Sequence, residues 1–393
     1  LEQPFIVGKP VTGKYFIDRQ NELKRLLALL AGVPKGNINN VILLGLRRTG
    51  KSSLLVNVQK ILVKKNTSVV VIFDAYGIST KERFAKKFLD AILESYIEQS
   101  GDNAYKQKLR KLLAQGYDAL RNGISEFGIE VSEFVKFQTK LREPTINEDE
   151  LLEQALKYAE HLGKDKRVSF IIMIDEFQEL LKWGDGFLKM LRRLVQSQSH
   201  VSYVLSGSAP TIMKSMVYDS KSPFYKQLTE IPIGMLDKQS VTSFVKKRLH
   251  AAKITIEPTA LEKIYYLSRG FPDYVQRLGL SLYLLCLQDE KKHLKEEDVD
   301  KAYSEMIDQL DADFSGQFES HPDLEREILI ALANSVDTPT AIAIEIRKPR
   351  TTIPKTMDRL VNADIVEKHG TGKYRIVDAI FSEWILRKYK TSL

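Results

Sequence analysis

Residues 45–52 read Gly45-Leu46-Arg47-Arg48-Thr49-Gly50-Lys51-Ser52, and this octet decides the fold. It satisfies G-x-x-x-x-G-K-[ST] at every fixed position. The glycines let backbone N–H groups turn inward around an anion, and a helix beginning at Lys51 points its positive end at the same place. Lys51 is placed to reach the β- and γ-phosphates of a nucleotide, and the Ser52 hydroxyl to hold Mg²⁺. Arg47, Arg48, Thr49 and Ser53 complete the candidate nucleotide-binding set with Gly45 and Gly50. By average composition the pattern arises by chance in roughly 1% of chains this long. The flanks argue against chance: Val41-Ile42-Leu43-Leu44 reads as a strand just before it, and Leu54, Leu55, Val58, Ile61 and Leu62 mark a helix just after.

Working outward, the same alternation continues. Val69–Phe73 is a β-branched run ending at Asp74, Val168–Ile174 is the most apolar run and ends in Asp175-Glu176, and Val201–Leu205 ends in Ser206-Gly207-Ser208. Glu230–Ile233 reads as a short last strand, demoted by Pro232 to an edge or an end. Helical patterns over 80–97, Glu148–Leu162 and Phe187–Val195 separate these runs. Continuous apolar strands alternating with helices predict an α/β fold, a parallel sheet covered on both faces. Upstream, Leu23, Leu26, Leu27 and Leu30 make one face of an amphipathic helix, with Asp18 as its expected N-cap.

A carboxylate at the tip of a strand near the phosphate loop can hold Mg²⁺ beside Ser52, which makes Asp175 a candidate metal ligand. The adjacent Glu176 can deprotonate an attacking water. An Asn-Lys-x-Asp guanine reader does not occur, and a nucleotide kinase would not need Glu176. ATP hydrolysis with a glutamate base is the reaction these residues favour. Ser206 and Ser208 join the catalytic candidates if their strand neighbours both Gly45 and Asp175. A hydroxyl there can sense the γ-phosphate or position the water; a plain Ser-Gly-Ser turn is the alternative.

After Met235 no further strand is expected before the C-terminal unit. Lys238–Ala252, Pro258–Ser268, Asp273–Leu287 and Glu296–Leu310 read as an all-helical lid over 236–313, and Asp311–Gly316 as a linker. The core occupies 1–235, with an insertion over about 101–150 in which Ile124–Val131 reads as strand or hairpin. Residues 320–393 read as a winged helix-turn-helix. Leu324, Ile328 and Leu332 line a first helix, Ala341–Ile346 forms a second and Thr351–Asn362 a third. Ile365–Lys368 pairs with Tyr374–Val377 around a glycine-bearing tip. The third helix would enter a major groove, offering Thr351, Thr352, Lys355, Thr356 and Arg359 outward, with Arg347, Lys348, Arg350 and Lys373 for phosphates. Such modules also mediate protein contacts, and the acids around these bases keep that alternative open.

The 393 residues carry 59 Lys+Arg against 51 Asp+Glu, a net charge of +8, with 43% hydrophobic residues. That composition excludes wholesale disorder. The lone Cys286 excludes a disulfide framework and a cysteine-built metal site, and makes a reducing, cytoplasmic setting the expectation. Neither a signal peptide at Leu1–Pro4 nor a transmembrane run is expected, so no membrane partner is.

Together these residues resemble the archaeal ATPase family within the AAA+/STAND-like P-loop ATPases. The carriers are Phe16, Arg19 and Glu22-Leu23, the octet itself, Ile174-Asp175-Glu176-Phe177-Gln178 and Leu205-Ser206-Gly207-Ser208. Further on come Ser222-Pro223-Phe224-Tyr225, Gly270-Phe271-Pro272 and Tyr374-Arg375-Ile376-Val377-Asp378 with Phe381 and Trp384. The resemblance implies a five-stranded parallel core, a helical lid, a winged-helix tail, ATP or ADP, and Mg²⁺. It puts Phe16 and Arg19 on the adenine side of the cleft, and Gly270 and Pro272 where the lid folds over the nucleotide. It departs at Lys226-Gln227, where the family commonly has Gly-Arg, so an arginine finger there is in doubt. Arg269 and Arg277 are candidate lid sensors. The implied function is a Mg²⁺-dependent ATP-hydrolysing switch coupled to duplex DNA. The alternatives are a scaffold whose ATP state controls a protein partner or self-association, and a nucleotide binder with negligible turnover.

Overall fold

The computed structural model describes residues 3–100 and 147–389. Most of the expected insertion, 101–146, lies outside the described residues. Five strands form one parallel sheet: β1 Val41–Leu44, β2 Val69–Asp74, β3 Phe170–Asp175, β4 Val201–Gly207 and β5 Thr229–Pro232. Their order is β2-β3-β4-β1-β5. β4 therefore lies between the strand that feeds the octet and the strand that ends in Asp175. Register brings Leu44 beside Gly207 and Pro232, and Asp175 beside Asp74. The chemistry-bearing residues thus gather at the carboxyl ends of adjacent strands.

The apolar runs serve two faces at once. Ile42, Leu44, Val71, Phe73, Ile172, Ile174, Tyr203 and Leu205 pack toward α3 (Lys81–Gln99), α4 (Glu148–Lys166) and α5 (Gly184–Ser197). Val41, Leu43, Val70, Ile171, Met173 and Val204 pack toward α1 (Gln20–Leu30) and α2 (Lys51–Lys65). Each fully buried Val, Leu, Ile or Phe side chain is worth about 1.5–3 kcal/mol, which is why these strands tolerate no polar face. α1 begins one residue later than a cap at Asp18 would place it, but Asp18 Oδ1 still accepts the Gln20 N–H at 3.2 Å. After β4 the chain makes α6, Pro210–Tyr218.

The lid comprises α7 (Lys238–Ala251), α8 (Pro258–Ser268), α9 (Pro272–Gln288) and α10 (Glu296–Gln309). It is not purely helical: Thr255–Ile256 (β6) and His293–Leu294 (β7) pair in parallel. The winged module follows as α12 (Asp323–Ala333), α13 (Pro339–Glu345), α14 (Ile353–Asn362), the antiparallel pair β8 (Val366–Lys368) and β9 (Tyr374–Ile376), and α15 (Ala379–Lys388).

The expected linker Asp311–Gly316 is instead part of a helix, α11, Asp311–Glu319. Phe314 and Phe318 are buried on it, four residues apart on one face, against Trp384 of α15. Lid and winged module consequently share one apolar core. No helix among the described residues is long and apolar enough to cross a membrane.

Candidate nucleotide site

The octet wraps the N-terminus of α2. Gly50 sits at φ 89° and Arg48 at φ 67°. Gly50 adopts the left-handed region at no cost, whereas a non-glycine residue there stores roughly 1 kcal/mol or more of strain. Thr49 is buried and its hydroxyl donates to Leu46 O at 2.8 Å, which locks the bend. Lys51 Nζ donates to the carbonyls of Gly45 (2.9 Å) and Leu46 (2.8 Å). Burial lowers the Lys51 pKa to about 8; the charges of Glu176 and Asp175 oppose this and that of Arg47 adds to it.

Asp175, also buried, is held from both sides. Ser52 Oγ donates to Oδ2 at 2.5 Å and Ser206 Oγ to Oδ1 at 2.8 Å. Burial raises its pKa, and the two serine hydrogen bonds pull the other way. Glu176 follows at φ 50°. Its Oε2 accepts from Ser208 Oγ at 2.6 Å and from Gln178 Nε2, and Gln178 Oε1 accepts the Ser208 N–H at 3.1 Å. The two serines of the Ser-Gly-Ser tip therefore have different jobs. Ser206 is fully buried and braces Asp175. Ser208 positions Glu176.

A cleft of about 510 Å³ opens on the loop. Arg47, Arg48, Thr49, Gly50, Lys51, Ser52, Ser53 and Glu176 line one side, and Pro272, Asp273, Gln276 and Arg277 of the lid face them. Phe16 and Arg19 line it too. Arg19 is buried and braces the loop: its guanidinium donates to Glu22 (3.0 Å), to Thr49 O (3.1 Å) and to Gly234 O. Gly270 does not line the cleft. At φ 74° it packs on Leu236, whose carbonyl would lie 2.3 Å from any Cβ there, so its role is lid packing. Pro272 does reach the loop, against Gly50. Arg277 lies in the cleft, paired with Asp273 at 2.8 Å, whereas Arg269 is not among the lining residues. Lys226 precedes the amino end of β5, whereas the octet follows the carboxyl end of the parallel neighbour β1.

The sequence reading missed the segment Ile6–Val11. It threads along the cleft, with the Val11 N–H donating to Ser53 Oγ at 3.0 Å and Asn57 Nδ2 to Val11 O at 2.9 Å. No local pattern marks such a segment; these contacts span more than forty residues.

On the winged module, Arg347, Arg350, Thr352 and Lys355 are exposed. Lys348 lies 3.7 Å from Glu327, Arg359 3.2 Å from Glu325 and Lys373 2.8 Å from Asp337. Thr356 is a correction. It is 3% exposed, shares the inward face with Ile353, Met357 and Leu360, and donates to Thr352 O at 3.2 Å. It cannot touch DNA.

The sheet order, the glycine-bearing loop after β1 and the adjacent acids at the tip of β3 define a P-loop nucleotide-binding fold. The family described as an ATPase domain predominantly from Archaea matches residues 16–278, and the chain belongs to that family. It is 25% identical over 268 residues to an uncharacterised HTH-type transcriptional regulator of Methanocaldococcus jannaschii; the match covers 65% of this chain and 60% of that protein. The Walker-type ATPase of Pyrococcus abyssi shares the fold at a TM-score of 0.69 and 18% identity, over 97% of this chain and 99% of that one. The Aeropyrum pernix ORC1 protein, solved in complex with DNA, shares it at 0.55 and 16% identity, over 96% and 94%.

Proposed function

We propose that this protein is a Mg²⁺-dependent ATP-hydrolysing switch whose nucleotide state is coupled to duplex DNA through the C-terminal winged helix. The observation that carries the catalytic half is the division of labour between adjacent acids. Asp175 faces Ser52, and Glu176 is turned to the cleft by Ser208 and Gln178. Ser52 Oγ and Asp175 Oδ2 are hard oxygen donors side by side, which suits Mg²⁺. A metal held there would neutralise charge on the β- and γ-phosphates. Lys51 adds a fixed cation to the same charge. Glu176 accepts a proton from the attacking water as its oxygen bonds to the γ-phosphorus and the bond to the β-phosphate oxygen breaks, leaving ADP and phosphate.

Turnover should be measured with and without duplex DNA. Glu176→Gln is expected to keep nucleotide affinity and lose at least about 100-fold in turnover, the usual contribution of a placed general base. Unchanged phosphate release would return the protein to a binder with negligible turnover. Three exposed bases, Arg347, Arg350 and Lys355, which have no ion pair among the described residues, support the DNA half. So do the name of the M. jannaschii relative and the DNA in the A. pernix complex.

A second reading, a protein partner, is favoured by one observation. Three of the candidate DNA bases are neutralised within the module, while Ile344 on α13 is 66% exposed. Duplex binding that weakens steeply with salt supports DNA. Nucleotide-dependent association without duplex binding supports the partner.

A further inference from the structure

The two arginines of the octet have different surroundings. Arg47 is exposed beside the cleft, and no ion pair holds it among the described residues. Arg48 leads away from the phosphates. Its side chain is 10% exposed. One guanidinium nitrogen donates to Asp273 Oδ2 of α9 at 2.6 Å, and the other to Asp313 of α11. The guanidinium carbon lies 5.1 Å from the Tyr274 ring centroid and 5.7 Å from that of Phe314. Arginine suits such a place, because its planar fork serves two carboxylates and stacks on rings at once. The Tyr274 hydroxyl in turn donates to Asp378. Asp378 caps α15 by accepting the N–H groups of Ile380 (3.0 Å) and Phe381 (3.2 Å).

We infer that Arg48 is a positioning residue that ties the phosphate loop to the lid and, through Tyr274 and Asp378, to the last helix of the winged module. The loop must rearrange when phosphates displace Lys51 Nζ from the carbonyls of Gly45 and Leu46. Arg48 is two residues from Leu46, which carries the nearer of those carbonyls, so the same rearrangement pulls on Asp273 and Asp313. Both carboxylates sit on elements whose apolar faces belong to the core shared with α15. A rigid ion-pair link of this kind passes a small loop shift onward because packed cores do not deform continuously. The inference rests on the proposed nucleotide switch for its trigger, but the link itself stands on the contacts of Arg48, Tyr274 and Asp378.

The test is hydrogen exchange at the Ile380 and Phe381 amides of the full chain, with nucleotide affinity measured alongside. In the wild type, a non-hydrolysable ATP analogue with Mg²⁺ is expected to change protection at these amides by at least about threefold. Tyr274→Phe removes one hydroxyl outside the cleft; it is expected to bind the analogue within about twofold of wild type and to lose that change. Arg48→Ala is expected to speed exchange at the same amides even without nucleotide. That arm reads the link even if the wild type binds no analogue, an outcome that would sink the switch and not the tie. The inference is overturned if both variants transmit as the wild type does. It is also overturned if Arg48→Ala costs tenfold or more in nucleotide affinity while leaving exchange at these amides as in the wild type, since Arg48 would then be a phosphate ligand.

Discussion

If Lys51 holds the β- and γ-phosphates as proposed, its burial gives nucleotide affinity a pH dependence. With its pKa lowered by burial to about 8, the ammonium is charged below pH 8 and increasingly neutral above it. Bound phosphate favours the charged form, so binding raises the pKa. Affinity for ATP should therefore be flat below about pH 7 and fall above pH 8, approaching tenfold per pH unit. Titrations of a fluorescent analogue between pH 6.5 and 9.5 check this; a flat profile to the upper limit refutes it. Gly270 offers a second residue-scale prediction. Gly270→Ala adds a Cβ 2.3 Å from Leu236 O in a left-handed backbone, and should cost at least about 2 kcal/mol. The denaturant midpoint should drop with its slope unchanged.

At the scale of elements, the N-terminal segment behaves as a strap across the lid. Phe5 is fully buried against Phe244 and Gly279, Pro4 O accepts from Arg248 Nε at 2.7 Å, and Gln276 holds both Ile6 and Tyr15. Phe5→Ala should cost about 3–5 kcal/mol, the usual result for a buried ring, read as early loss of protection in α9. For α14 the expectation is a contrast. Alanine at Arg350 or Lys355 should each lower the salt slope of duplex binding by about one, whereas Thr356→Ala should leave it unchanged. Helix phase explains why Thr356 was misread: Ile353, Met357 and Leu360 fix the inward face, and position 356 falls on it. The strands and the octet were legible because continuous apolar runs and a fixed loop spacing are local signals. The strap and the pairing of β6 with β7 were not, since two-residue strands and contacts across hundreds of residues leave no periodicity. α11 was half legible: its Asp, Ser and Gly read as a linker, while Phe314 and Phe318 carried the opposite signal.

At the scale of the molecule, the shared core decides how the chain comes apart. Phe314 packs 5.3 Å from Phe381 and 5.9 Å from Trp384, centroid to centroid, and Asp311 holds Trp384 Nε1 at 2.9 Å and Lys388 Nζ at 2.8 Å. The winged module is thus docked on the lid by the same residues that complete its own interior. A second tie reaches the ATPase core, where Asp364 accepts both the N–H (2.9 Å) and the hydroxyl (2.6 Å) of Thr211 in the first turn of α6. That helix starts two residues after Ser208, so the winged module touches the element next to the residue that donates to Glu176. Residues 320–389 produced alone would expose the buried faces of Phe381 and Trp384, and a unit of that size has little core to spare. They should be unfolded or self-associating, whereas 236–389 should melt as one cooperative unit. Circular dichroism melts of the two fragments decide it. A sharp, independent transition for 320–389 would mean that the winged module is autonomous, and that nucleotide could release it only as a body swinging free of the lid. Failure of that fragment to fold would mean that lid and winged module move together, so that any DNA response to nucleotide must be a rotation of both against the sheet.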